Sequence, residues 1–134
     1  MPSAAIVRRI SPMLAVANME ESIAFYQNVL GFAIAQQSPE YSVIERDGQT
    51  IHLQRAASDE IVKILRNHVE IYIEVSGIQQ LWQHVQSFKD RYRLRDLFER
   101  DYGMTEFHVI DPNSCLVFVG ERTDQVRASA KPAG

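Results

Sequence analysis

The sequence contains a single cysteine, Cys115, among 134 residues, so no disulfide can form within the chain. It has no apolar run near the roughly 20 residues that a membrane-spanning helix needs, and we expect no secretion signal. The 14 basic residues do not exceed the 17 acidic ones, and a net charge of −3 gives no reason to expect nucleic acid or an anionic membrane as partner. These absences predict a cytoplasmic protein whose partner is a small molecule or another protein.

Two common kinds of catalytic motif are also missing. There is no glycine-rich loop that could hold a phosphate group, and no motif that would activate a serine or cysteine nucleophile. What the chain does have is apolar sequence, at 46% of its residues, and the length of one ordinary domain. A domain of this size can bury a core of its own, so neither a metal nor a crosslink is needed for stability.

Residues 16–32 carry the clearest local signal. Asn18 followed by Glu21 has the spacing of a capping box, in which each residue satisfies a backbone N–H of the other at a helix start. Gly31 marks the end, because glycine adopts the left-handed conformation that commonly closes a helix. Between them lies an apolar face with helical spacing, made by Met19, Ile23, Tyr26 and Leu30. The segment predicts an amphipathic helix that lies on a sheet.

The first half of the chain shows a β-α-β-β-β pattern. Residues 6–16 predict the first strand, and Pro12 within it suggests that one side of that strand is unpaired. After the helix, strands are predicted over 32–36, 41–45 and 50–54. Asp47-Gly48 is a typical two-residue hairpin turn between the last two.

The second half repeats the pattern. Alternating residues predict a strand over 68–75, apolar residues with helical spacing predict a helix over 78–88, and strands follow at 92–98, 105–110 and 115–121. Residues 58–67 are ambiguous between helix and connection, and we treat them as a linker with at most a turn of helix. The prediction is one α+β domain over 1–134, with an N-terminal module 6–57, a linker 58–67, a C-terminal module 68–122 and a disordered tail 123–134.

Two motifs in this repeat resemble a known family. Residues 22–32, S-I-A-F-Y-Q-N-V-L-G-F, are similar to a helix ending in F-Y-x-x-x-L-G-F. Residues 102–113 are similar to the start of W-G-x-R-E-F-x-V-x-D-P-x-G-N, with Tyr102 and Thr105 in place of the Trp and the Arg, and Ser114 follows in place of the second Gly. Over residues 10–121 the chain thus resembles the vicinal oxygen chelate superfamily, which includes glyoxalases, extradiol dioxygenases and bleomycin resistance proteins, and it is closest to the bleomycin-resistance type. The resemblance implies two β-α-β-β-β modules that form a paired, cleft-bearing mixed sheet, and a homodimer.

The resemblance also locates four metal positions, one on the first and one on the last strand of each module. They fall on Ser11, His52, His68 and Phe118. Only the two histidines bind metals well, and a catalytic site needs about three protein ligands. We therefore expect no cofactor, with His52 and His68 as remaining candidates for a divalent metal. They could equally be solvent-facing polar residues or hydrogen-bond partners of a ligand.

An uncovered sheet face with aromatic and polar side chains is the expected binding site. Its predicted members are His52, His68, Glu70, Tyr72, Tyr102, Glu106 and Phe118. They predict binding of a small aromatic or amphipathic molecule, as in antibiotic sequestration, without metal catalysis. The alternatives are a metal-dependent lyase or dioxygenase with a site at His52 and His68, and an interaction module without a small ligand. No catalytic residue is identified, and the sequence leaves open whether the protein is an enzyme.

Overall fold

The structure, a computed structural model, describes residues 4–130. The N-terminal module consists of β1 (Met13–Val16), α1 (Met19–Asn28), β2 (Ala33–Gln36), β3 (Tyr41–Arg46) and β4 (Gln49–Arg55). The connection contains α2 (Asp59–Leu65). The C-terminal module consists of β5 (Glu70–Glu74), α3 (Ile78–Val85), β6 (Leu94–Glu99), β7 (Met104–Ile110) and β8 (Leu116–Arg122), and α4 (Thr123–Ala130) follows. A 3₁₀ turn, Gln86–Phe88, extends α3.

Each module forms its own four-stranded mixed sheet with the same topology. The strand orders are β1-β4-β3-β2 and β5-β8-β7-β6. In each sheet the first and last strands of the module pair in parallel, and the other neighbours are antiparallel. The predicted α+β fold with two β-α-β-β-β units is confirmed.

Helix α1 begins and ends where its sequence signals predict. The Asn18 side chain accepts a hydrogen bond from the Glu21 backbone N–H at 2.9 Å. Gly31 is left-handed with φ of +73°, and the Phe32 N–H returns to the Tyr26 carbonyl at 3.0 Å. Such a bond satisfies a carbonyl that the helix end would otherwise leave free.

The helices of both modules share one core. The Phe25 ring of α1 lies 4.8 Å from the ring of Tyr92, which belongs to the C-terminal module. Trp82 of α3 lies 5.2 Å from Phe107 of β7, which is fully buried. The inner faces of the two sheets therefore pack against the helices, and the opposite faces are left open.

A hydrogen-bond cluster joins α1 to the turn between β7 and β8. Tyr26 donates its hydroxyl to Asp111 Oδ2 at 2.7 Å, deep in the core. The other oxygen of Asp111 accepts from the backbone N–H groups of Asn113 and Cys115 at 2.8 and 2.9 Å. Asn113 in turn donates to the Ser22 hydroxyl at 3.0 Å. The two motifs that resemble the family thus contact each other directly, and their role is structural.

Three predictions about element boundaries are wrong. The first strand begins at Met13, not at residue 6, and residues 5–12 form no strand: Ile6, Val7 and Ile10 are about four-fifths exposed. The linker contains the two-turn helix α2, since seven consecutive residues are helical. The third error concerns the predicted tail.

Residues 123–130 form helix α4 in place of the predicted disordered tail, and 131–134 lie outside the described residues. Tertiary contacts stabilise this helix despite its small, polar residues. Val126 is buried, the Thr123 N–H donates to the Gly103 carbonyl at 2.9 Å, and Arg127 pairs with Glu99 at 2.8 Å. Within the part of the chain that the structure describes, no helix is long and apolar enough to cross a membrane.

Candidate functional site

The open face of the C-terminal sheet carries most of the predicted site residues. Along β7 and β8 the side chains alternate, and Phe107, Val109, Val117 and Val119 are fully buried on the inner face. On the open face, cross-strand pairing places Phe118 directly between Tyr72 and His108. Residues that pair in this way share one face and touch, so these three side chains cross β5, β8 and β7 side by side.

These rings form a continuous row, which Phe98 of β6 extends. The rings of Phe118 and His108 are stacked at 4.1 Å, with an angle of 28° between their planes. Tyr72 lies 6.0 Å from Phe118 on one side, and Phe98 lies 5.4 Å from His108 on the other. We call Tyr72, Phe118, His108 and Phe98 the aromatic row. It spans all four strands of the sheet.

Glu106 lies beneath this row, and its side chain is fully buried. One carboxylate oxygen accepts hydrogen bonds from the hydroxyls of Tyr72, at 2.8 Å, and Tyr102. The other accepts from His108 Nε2 at 3.0 Å. The sequence suggested Glu106 as a polar contact for a ligand, but in this arrangement its oxygens are already occupied by neighbours from three different segments of the sheet.

Burial and hydrogen bonds together shift the pKa values of these groups. Burial by itself raises the pKa of Glu106, but hydrogen bonds from Tyr102, His108 and Tyr72 outweigh it, and the pKa is lowered. Burial, together with the hydrogen bond to Glu106, raises the pKa of Tyr72 well above its usual value. The pKa of Tyr102 is raised as well, first by its hydrogen bond to Glu106. The cluster is therefore a carboxylate held by neutral hydroxyls.

Gly120 provides the space in which Tyr72 reaches Glu106. A Cβ atom at Gly120 would lie 2.0 Å from the Tyr72 hydroxyl and 2.8 Å from its Cζ atom. Tyr72 therefore lies across Gly120, with its ring close to the sheet. At 46% exposure, the other side of this ring is open to solvent.

Two further residues of this face, Arg95 and Phe98, are not among the predicted site residues. Arg95 and Phe98 are three positions apart, so simple alternation puts them on opposite faces, yet they pair with His108 and Glu106. A register shift between them inserts one extra residue in β6 and turns both side chains to the open face. The Arg95 guanidinium carbon consequently lies 3.9 Å from the Phe98 ring centre. The shift is visible because Arg95 and Phe98 are three residues apart, whereas their partners His108 and Glu106 are two residues apart.

His52 lies in the other sheet, on the open face of the N-terminal module. Its Nδ1 forms a hydrogen bond with the Tyr41 hydroxyl, and its ring meets that of Tyr41 edge to face at 5.6 Å. It is half-buried, and its ring contacts Tyr41. The predicted site residues therefore fall on two separate sheet faces.

His68 and Glu70 are exposed at the start of β5, away from the contacts of Glu106. Of the four positions that a metal-dependent relative would use, Ser11 bonds to Thr50 and Phe118 has no metal-binding atom. His52 lies on β4 of the N-terminal module, and His68 precedes β5 of the C-terminal module. Among residues 4–130, no group of three or more His, Cys, Asp or Glu side chains could hold a metal ion. These residues do not fit the metal centre of the metal-dependent members.

Two depressions flank the modules. One, of about 580 Å³, lies at the seam between them and contains none of the predicted site residues. Two of its polar side chains are already engaged, since Arg46 donates to the Leu30 carbonyl at 2.6 Å and His84 contacts the Asn28 carbonyl at 2.7 Å. The other, of about 940 Å³, adjoins Tyr102 at the edge of the aromatic row. The chemistry therefore favours the aromatic row as the site.

The fold and this open face define the class of protein. Residues 10–124 match the glyoxalase-like domain family, and the chain belongs to that family. The vicinal oxygen chelate superfamily and the bleomycin-resistance type, which the motifs predicted, are confirmed.

The proteins similar to this chain include bleomycin resistance proteins and bleomycin-binding proteins. The chain is 28% identical over 120 residues to a bleomycin resistance protein of Geobacillus stearothermophilus, with 79% of this chain and 90% of that protein covered. The structure of a bleomycin resistance determinant encoded on a transposon superimposes with a TM-score of 0.72 at 15% identity, covering 87% and 98% of the two chains. A bleomycin-binding protein of Streptomyces verticillus, complexed with copper(II)-bleomycin, gives 0.69 at 18% identity, covering 86% and 96%. The structural likenesses establish the fold.

Proposed function

We propose that this protein binds and sequesters a small aromatic or amphipathic molecule of the antibiotic type, without metal catalysis. The observation that carries the proposal is the aromatic row, whose rings cross the whole open face of the C-terminal sheet. Large aromatic rings grouped on one face offer a planar ligand several stacking partners. The bleomycin-resistance relatives support the proposal because they are named for an antibiotic of this kind.

Sequestration requires only a modest binding free energy. Micromolar affinity corresponds to about 8 kcal/mol. Each well-placed aromatic contact contributes roughly 0.5–1.5 kcal/mol beyond the apolar area that it buries. Sequestration requires binding alone, so the hydrogen bonds that occupy Glu106 do not conflict with it. Glu106 holds the rings of Tyr72 and His108 in place, and the rings provide the contact surface.

We also propose a homodimer in which each binding cleft uses both chains. The support is the division of the site, since His52 and Tyr41 lie on one sheet and the aromatic row on the other. A second copy that presents its N-terminal sheet to the aromatic row would unite the two faces. The exposed Ile6, Val7 and Ile10 give the apolar surface for such an association. The protein is proposed to act in the cytoplasm, where a lone buried thiol such as Cys115 stays reduced.

The metal-dependent alternative lacks a supporting observation. A lyase or dioxygenase centred on His52 and His68 needs a third ligand near both histidines, and within residues 4–130 no such group of three is found. A ligand screen distinguishes small-molecule binding from the alternative of an interaction module without a small ligand.

The test is a thermal-shift screen against bleomycin, other antibiotics and planar aromatic metabolites, with hits measured by calorimetric titration. Phe118→Ala should weaken each hit by about tenfold, because it removes the central ring of the row. The matched control is Phe88→Ala, which removes a ring that contacts His84 outside the row. Hits that bind Phe118→Ala as tightly as wild type would contradict this site, and a screen without hits would favour the interaction module.

A further inference from the structure

The aromatic row has opposite charges at its two ends. At the β6 end, the guanidinium carbon of Arg95 lies 3.9 Å from the Phe98 ring centre. Arg100 lies 5.2 Å from the same ring centre and 5.1 Å from that of Tyr102. At the β5 end, Glu70 and Glu74 flank Tyr72 with the same strand parity and are exposed. Arg100 and Glu74 line the same depression beside Tyr102, so the charges that lie at opposite ends of the row are Arg95 and Glu70.

Arg95 and Glu70 are both exposed, so a ligand can reach them. Within residues 4–130, none of Arg95, Arg100, Glu70 and Glu74 forms an ion pair. Nearby Glu99 is bound by Arg127, 2.8 Å away on α4. The carboxylate in the middle, Glu106, is enclosed by three donors and is fully buried. Its two oxygens are therefore not free to bind a ligand.

The dimensions of the sheet set the length of the ligand. Neighbouring strands lie about 4.8 Å apart, so the three intervals from β5 to β6 span roughly 14 Å. A guanidinium that lies flat on an aromatic ring keeps its N–H edges free, and these can hold a carboxylate through two parallel hydrogen bonds. The Arg95 guanidinium carbon, 3.9 Å from the Phe98 ring centre, is at stacking distance.

We propose that the aromatic row takes an elongated planar aromatic molecule that carries an anionic group over the β6 end and a cationic group over the β5 end. This inference rests on the proposed function and specifies its ligand class. It differs from the expectation from overall charge, since a net charge of −3 by itself favours any cation. The local charges instead require both signs and fix the direction in which the ligand lies.

Three related probes test the orientation by fluorescence titration at low salt. They are a biphenyl with a carboxylate at one end and an aminomethyl group at the other, its methyl ester, and its N-acetyl derivative. The zwitterion should bind most tightly. Arg95→Gln should weaken the two probes that keep the carboxylate by roughly two- to fivefold and leave the ester unchanged. Glu70→Gln should weaken the two that keep the amine and leave the N-acetyl derivative unchanged.

The control variant is Arg91→Gln, which makes the same charge change at a residue that contacts Tyr92 outside the row. An equal effect of Arg91→Gln and Arg95→Gln would overturn the orientation. If all three probes bind equally and lose affinity together in Phe118→Ala, the charge orientation is wrong while the proposed function stands. Binding of an antibiotic from the screen at this row without any probe binding would reject the biphenyl-like ligand class alone.

Discussion

Because Gly120 has no side chain, the Tyr72 ring can lie across it. Tyr72 crosses the glycine to donate its hydroxyl to Glu106, and a Cβ atom there would lie 2.0 Å from that hydroxyl oxygen. The glycine is not needed for an unusual backbone angle, since its φ is not in the left-handed range. It is needed because the Tyr72 ring occupies the space of its side chain.

Gly120→Ala is therefore expected to displace Tyr72 and leave buried Glu106 with two side-chain donors in place of three. Loss of a partner by a buried polar group costs about 1–3 kcal/mol of unfolding free energy, which urea denaturation measures. The control is Tyr72→Ala, since adding Gly120→Ala to a chain without the ring should cost far less. Additive effects of the two substitutions would show that Tyr72 and Gly120 do not conflict.

At the scale of elements, the contact between α1 and the β7–β8 turn holds the modules together. Tyr26 and Asp111 come from opposite halves of the chain and meet in the core at 2.7 Å. Burial raises the pKa of Asp111 despite the hydrogen bonds that it accepts, and burial also raises the pKa of Tyr26. The hydroxyl is thus the neutral donor in a contact from which water is excluded.

Tyr26→Phe removes this donor while keeping the ring. We expect the free energy of unfolding to fall by about 1–3 kcal/mol, because a buried oxygen of Asp111 loses its partner. Tyr41→Phe is the matched control, since it removes a hydroxyl whose partner, His52, is only half-buried. Urea denaturation of both variants compares them, and equal losses of stability would mean that the Tyr26 contact has no special role at the junction.

At the scale of the whole molecule, the N-terminal arm formed by residues 5–12 lies exposed before the edge strand of the N-terminal sheet. Ile6, Val7 and Ile10 are 80%, 78% and 86% exposed, although they belong to a chain that buries most of its other large apolar side chains. The β1 strand that follows them pairs with β4 on one side and forms the edge of its sheet. Exposed apolar residues beside a sheet edge favour association with a second copy.

We expect the wild-type protein to sediment at equilibrium as a dimer at tens of micromolar. The double variant Ile6→Asp, Ile10→Asp should shift it toward monomer, because charged side chains would have to be buried in the contact. Ile64→Asp changes an exposed isoleucine of α2, outside the arm, and serves as the control. A wild-type monomer at this concentration would end the claim, and dissociation by the control alone would move the interface to α2.

Local sequence signals by themselves determined helices α1 and α3 and the module repeat. Asn18 and Gly31 act through backbone groups within a few residues, and Asp47-Gly48 forms its turn with both residues at positive φ, so nearby sequence is enough to specify them. The alternation along β5, β7 and β8 correctly put Tyr72 and Phe118 on one face, because the period of a strand is fixed by its backbone.

Only the tertiary structure decided what those residues contact. The burial of Glu106, the register shift that brings Arg95 and Phe98 to the open face, and the helix after β8 all depend on partners far away in the sequence. Each is set by the free energy of packing one segment against another: a carboxylate is stable in the interior only with its donors present, and α4 forms where Val126 can be buried. The alternation of the strands identified part of the aromatic row, and the pairing of distant strands brings the rest of it together.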